Sequence, residues 1–117
     1  MRNAAIFGCG AAGKHAYSHL RTRYRIITFL DNRREQHGSR VFGVLVRDPE
    51  GYDYSEVDHV FIASMHFDEI VVQLLELGVP CSKIECVSDE TLTRDAQRRP
   101  VSTLIRRALY LPFRLLR

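Results

Sequence analysis

The run Gly8-Cys9-Gly10-Ala11-Ala12-Gly13 constrains this chain more than any other segment. Its spacing is G-x-G-x-x-G, and each glycine answers a separate steric demand: a tight turn, close approach of a pyrophosphate to the backbone, and close contact between a helix and a strand. Context makes the pattern informative. Ala4 to Phe7 is a short apolar run stopped by glycine, which reads as a buried parallel strand. From Ala11 onward, Ala12, Ala16, Leu20 and, less regularly, His19 recur at helical spacing and predict a helix to about Thr22. Arg25 to Leu30 is rich in β-branched and aromatic residues, reads as a second strand, and ends at the turn formers Asp31-Asn32.

The second half of the chain repeats the alternation of strand and helix. Residues 33–40 are polar and aperiodic and read as a loop, followed by one short strand, Val41 to Val46, around Gly43. Asp48-Pro49-Glu50-Gly51 then breaks the chain. Asp58 to Ser64 contains Val60-Phe61-Ile62-Ala63, a strong candidate for a central strand. Ile70, Val71, Leu74, Leu75 and Leu77 follow at helical spacing, Gly78 and Pro80 stop that helix, and Lys83 to Val87 reads as the last strand. The order β-α-β-β-β-α-β predicts an α/β, Rossmann-like three-layer domain with a mainly parallel sheet, spanning residues 1–88. Right-handed crossovers would place a ligand at the carboxyl ends of the strands.

Within that frame the expected nucleotide site is Gly8, Gly10 and Gly13, with the Ala11 and Ala12 amides at the helix start facing phosphates. Asp31, 18 residues beyond Gly13 and at the end of the next strand, would accept hydrogen bonds from a ribose, with Asn32 beside it. A carboxylate there favours NAD; NADP is an alternative because Arg33 and Arg34 stand close enough in sequence to receive a phosphate, and S-adenosylmethionine is another because a carboxylate in this place can also hold its ribose. Ser64 follows the central strand and would lie over the nucleotide. His66 could act there as an acid or base, although Ser64-Met65-His66 with Asp68 and Glu69 also reads as an ordinary polar helix start. His15 and His19 sit four apart on one helix without an acidic or cysteine partner nearby, and Cys9, Cys81 and Cys86 lack CxxC spacing, so no metal site is expected. Cys9 would be activated by the helix start if exposed, whereas a small turn residue there more simply serves fit.

At 117 residues and 45% apolar content, the chain supports one core. The net charge of +3 is unevenly spread: residues 94–117 hold seven Arg and one Asp, a net of +6, so the other 93 residues carry about −3. The body lacks a basic stripe with interleaved aromatics, which argues against nucleic acid as partner. Residues 89–117 form a separate tail. Within it Val101, Leu104, Ile105, Ala108, Leu109, Phe113 and Leu116 fall on one helical face, with Arg106, Arg107, Arg114 and Arg117 mostly off it and a kink expected at Pro112. Residues 101–117 are therefore expected either to dock on a partner, making a homo-oligomer or larger enzyme complex, or to contact a membrane surface peripherally. The opening Met-Arg-Asn-Ala-Ala-Ile-Phe carries no secretory pattern, and the expected location is cytoplasmic or membrane-peripheral.

The segments Ile6-Phe7-Gly8-Cys9-Gly10-Ala11-Ala12-Gly13, Ile27-Thr28-Phe29-Leu30-Asp31-Asn32, and Gly38 with Val41-Phe42-Gly43-Val44 together carry a resemblance. Over roughly residues 3–88 the chain resembles the N-terminal Rossmann-like domain of bacterial nucleotide-sugar dehydratases and epimerases of polysaccharide biosynthesis. Similar patterns open hexapeptide-repeat acyltransferases of the sialic-acid O-acetyltransferase type. The resemblance implies a dinucleotide or nucleotide-sugar site and a role near surface-glycan synthesis. The chain departs from those proteins in having no hexapeptide repeat and no Tyr-x-x-x-Lys pair at any of its five tyrosines, so a binding module is expected, with a small dehydratase- or epimerase-like nucleotide-sugar-processing enzyme and a ligand-free interaction protein as the alternatives.

Overall fold

Strand β1 (Arg2–Phe7) alternates between two apolar clusters, Ala4 and Ile6 entering one and Ala5 and Phe7 the other. A strand buried on both faces needs a cover on each side. Helix α1 (Ala11–Leu20) covers the first face with Gly13, Ala16 and Leu20, and helix α2 (Phe67–Glu76) covers the second with Ile70, Val71 and Leu74. The result is the expected α/β three-layer Rossmann-like architecture. The computed structural model describes residues 1–87 and the backbone of residues 99–100.

The other strands are β2 (Tyr24–Leu30), β3 (Arg40–Val41), β4 (Val44–Arg47), β5 (His59–Ile62), β6 (Ile84–Cys86) and β7 (Arg99–Pro100). They form one sheet in the order β3-β4-β2-β1-β5-β6-β7. The pairs β4–β2, β2–β1, β1–β5 and β5–β6 are parallel, and only the outermost pairs, β3–β4 and β6–β7, are antiparallel. From β1 the chain moves outward to β2 and β4, then returns to place β5 on the other side of β1. This reversal brings the carboxyl ends of β1 and β5 together with helices leaving to opposite faces, the place where open α/β sheets bind ligands.

Three local features differ from the sequence reading. Val41 to Val46 is two strands, because Phe42 (φ 52°) and Gly43 (φ 78°) both turn left-handed and fold the segment into a tight antiparallel hairpin. The Phe42 ring is held against Tyr17 of α1 by stacking at 4.8 Å. In β2 the pairing with β1 skips Ile27, so Ile26 and Phe29, three apart, face the same cluster, and the buried Thr28 hydroxyl donates to the Leu45 carbonyl at 2.9 Å. Within the expected loop, Arg34–Gln36 forms a 3-10 turn. Helix α2 ends as expected at Gly78, where the Gly78 and Val79 amides donate back to the Leu75 and Leu74 carbonyls, each at 3.0 Å.

The sheet extends through β7 into the segment read as a tail, while the amphipathic stretch expected over residues 101–117 lies outside the described residues. Among the described residues no helix is long and apolar enough to cross a membrane.

Candidate functional site

The ends of β1, β2 and β5 and the starts of α1 and α2 enclose a cleft of about 440 Å³. Of the expected site residues, Gly8, Gly10, Ala11, Ala12, Asp31, Asn32 and Ser64 line it. Gly13 does not, and its place explains why.

A Cβ on Gly13 would overlap the carbonyl oxygen of Gly8, so position 13 is where α1 presses on the turn. Gly8 (φ 113°) is equally confined, since a Cβ there would meet the Ala63 carbonyl oxygen at 2.5 Å. Gly10 is different. Its backbone is extended (φ −80°), and the nearest atom to a Cβ would be Arg33 Nη2 at 3.9 Å. Two glycines thus serve the fold, and the third opens onto the cleft.

Helix α1 begins there without a side-chain cap and without an acid in its first turn, and Lys14 N–H is the first amide to bond back, to the Gly10 carbonyl at 2.9 Å. The amides of Ala11 and Ala12 carry the positive end of the helix dipole to the cleft wall. Helix α2 contrasts with it. Asp68 and Glu69 occupy its first turn, and Glu69 reaches the cleft.

Asp31 is nearly buried, with 6% of its surface exposed, and its carboxylate is already crowded. Oδ1 accepts from the Arg33 amide at 2.9 Å and Arg33 Nε at 3.0 Å. Oδ2 accepts from the Cys9 amide at 3.1 Å, the Cys9 thiol at 3.2 Å and Arg33 Nη2 at 3.1 Å. Burial works to raise this carboxyl, but the hydrogen bonds from Arg33 and Cys9 outweigh it and hold it well below the usual carboxylate range. Asp31 lines the cleft where a ribose was expected to meet it, and Arg33, half exposed, is paired with its carboxylate. Sequence reading noted Arg33 as a neighbour, but nothing in the sequence says that its side chain folds back two residues.

Cys9 is buried at 4% exposure, and burial, followed by the Asp31 hydrogen bond and charge, pushes its thiol up. The exposure that activation by the helix start would require is absent. His37 steadies the same corner: its Nε2 lies 2.6 Å from the Asp31 carbonyl oxygen, a contact that requires Nε2 to carry the proton.

Across the cleft, Asn32 and Gln73 exchange two amide hydrogen bonds, each of 2.8 Å. Gln73 was not among the expected residues; its position between Ile70 and Leu74, at the edge of the buried stripe of α2, is the signal that could have found it. Ser64 Oγ accepts from the His66 amide at 3.1 Å, so the hydroxyl shapes the entry to α2. His66 lines the cleft and is exposed. His15 and His19 stand edge to face at 4.7 Å on α1, away from the cleft lining.

The family model described as C2185-like, N-terminal, matches residues 1–85. A comparison with curated proteins finds no match. Among solved structures, UDP-D-quinovosamine 4-dehydrogenase from Vibrio fischeri is similar, with TM-score 0.61 and 21% identity over 84% of this chain and 91% of that one. RSP, a Rex-family repressor, is similar with TM-score 0.55 and 15% identity, over 99% of this chain and 61% of the repressor chain. The same repressor in complex with β-NADH gives TM-score 0.54 and 16% identity, over 100% of this chain and 64% of that one. This chain thus spans less than two thirds of the repressor chains. At these identities the likeness establishes the Rossmann-like fold, and because the family model covers residues 1–85 of 117, the chain belongs to the C2185-like, N-terminal family.

Proposed function

We propose that this protein is a nucleotide-binding Rossmann module whose ligand is a nicotinamide dinucleotide and whose task is binding rather than catalysis on its own. The observation that carries this reading is the division of labour in the glycine turn. Gly8 and Gly13 are required by packing, whereas Gly10 is not, and its missing side chain leaves room for a ligand beside an uncapped helix start. No close contact requires a glycine there, so the space beside it is available to a ligand. The pyrophosphate would sit against the Gly10, Ala11 and Ala12 backbone, one nucleoside toward Asp31 and Asn32, and the other half toward Ser64 and His66.

The resemblance to the NADH-bound repressor supports a nicotinamide dinucleotide, and the likeness to a UDP-sugar 4-dehydrogenase supports a second reading, a nucleotide sugar in the same cleft. Under that second reading the module belongs to surface-polysaccharide synthesis, and the basic segment 101–117 attaches it to a partner enzyme or membrane surface. Thermal unfolding with NAD, NADP, S-adenosylmethionine and UDP-N-acetylglucosamine in parallel separates the two. A ligand at a hundred times its dissociation constant stabilises by about 2.7 kcal/mol, a rise of roughly 10 °C for a domain of this size. A shift with a dinucleotide supports the first reading, a shift with the UDP-sugar alone supports the second, and no shift overturns both.

A further inference from the structure

The acid at the end of β2 does not face the cleft as an acid. A carboxylate offers about four lone-pair positions. Here five donors converge on Asp31: the Arg33 and Cys9 amides, the Cys9 thiol, and Arg33 Nε and Nη2. A ribose diol seeking that carboxylate would have to displace the guanidinium. It would then replace charge-assisted, two-pronged hydrogen bonds with neutral hydroxyl donors, leaving a nearly buried anion without its countercharge. Beside Asp31, Arg33 itself lines the cleft at this corner. Its Nη2 also donates to Cys9 Sγ at 3.5 Å and stands over the turn at Gly10, while half of the side chain is open to solvent. Arg34, the next residue, is exposed beside it.

Resting on the dinucleotide reading above, we infer that Arg33 makes this cleft select a ligand whose ribose carries a phosphate monoester, the NADP type, over the same dinucleotide without it. The phosphate adds to the guanidinium without breaking the Asp31 pair. Asp31 acts as a positioning residue, holding Arg33 over the turn while cancelling the repulsion that a bare carboxylate would exert on the phosphate. The inference reverses the preference for NAD that Asp31 alone suggests.

The test is a matched pair of titrations of the full chain by calorimetry, with NADP⁺ and with NAD⁺, on the wild type and on Arg33→Ala. The expected result is at least tenfold tighter binding of NADP⁺ by the wild type, lost in Arg33→Ala. Equal or tighter binding of NAD⁺ by the wild type overturns the inference while leaving the dinucleotide reading intact. So does a preference for NADP⁺ that survives Arg33→Ala. Binding of neither dinucleotide overturns the dinucleotide reading and the inference with it. Should Arg33→Ala fail to fold, competition on the wild type decides: adenosine 2′,5′-bisphosphate displaces NADP⁺ at least tenfold better than 5′-AMP if the inference holds, and equally if it does not.

Discussion

Gly13 lies against the carbonyl of Gly8 so closely that a methyl group at position 13 would overlap the oxygen, whereas the same group at Gly10 would meet nothing nearer than Arg33 Nη2 at 3.9 Å. The two substitutions should therefore separate folding from binding. In Gly13→Ala, alanine's gain in helix propensity, about 1 kcal/mol, is overwhelmed by backbone against backbone, and we expect a net loss of about 3 kcal/mol and a fall of roughly 10 °C in Tm. Gly10→Ala should cost no more than about 1 kcal/mol, the difference between glycine and alanine at a helix N-cap, and lose dinucleotide binding by tenfold or more. Retained binding in Gly10→Ala would remove the main support for the cleft as a ligand site.

How much of this was legible follows from the range of each interaction. The glycine spacing and the acid at the end of β2 are short-range features, visible because each answers to backbone sterics within a few residues. The apolar residues of β2, Ile26, Ile27, Phe29 and Leu30, do not alternate, which already implies burial on both faces, but the bulge at Ile27 depends on pairing with β1. The hairpin was hidden because Phe42 holds a left-handed turn position usually filled by Gly, Asn or Asp, and its ring stacks on Tyr17 of another element. Within the site, Arg33 on Asp31 is a rotamer choice, and Gln73 meets Asn32 from 41 residues away. Local spacing places Gln73 beside the buried stripe of α2, but it names neither partner.

Acid should act on the Asp31 cluster in one direction. Its carboxyl is held below its unfolded value, near 4, so the stability it contributes is present above that value and is lost as pH falls through the lower, folded one. Between pH 7 and 5 the urea midpoint should be flat with respect to this group, then decline below about pH 4. Asp31→Asn should cost about 2 kcal/mol at pH 7, and the gap from wild type should narrow steadily as acid is added. A gap that stays constant to pH 2.5 would show that the carboxylate's charge plays no part.

The three cysteines should react unequally. Cys81 is exposed, whereas Cys9 and Cys86 are buried, and burial together with the Asp31 contact keeps the Cys9 thiol protonated. With Ellman's reagent at pH 8 the folded protein should release one rapid equivalent, and urea should release the remaining two. Cys81→Ser should abolish the rapid phase. A rapid phase surviving in Cys81→Ser, and lost only when Cys9→Ser is added, would place a reactive thiol in the glycine turn after all; one lost with Cys86→Ser would instead place it on β6.

Asn32 and Gln73 offer the most direct test of how the cleft is held open. Their two reciprocal 2.8 Å bonds tie the end of β2 to the middle of α2, elements that otherwise meet through apolar packing around Leu30, Ile70 and Leu74. Because the pair is partly exposed, each single alanine substitution should cost only about 1 kcal/mol, near the usual net value of a hydrogen bond. The informative quantity is the coupling: the Asn32→Ala, Gln73→Ala double variant should lose about 1 kcal/mol less than the two singles together, since the second substitution has nothing left to break. Gln73→Glu supplies the complementary sign, because its carboxylate can accept from Asn32 Nδ2 but opposes Asn32 Oδ1. It should therefore destabilise at pH 7 and recover as the new carboxyl is protonated near pH 4. If the coupling energy is zero, the two amides do not bridge the cleft in solution, and the separation of β2 from α2 is set by the apolar contacts alone.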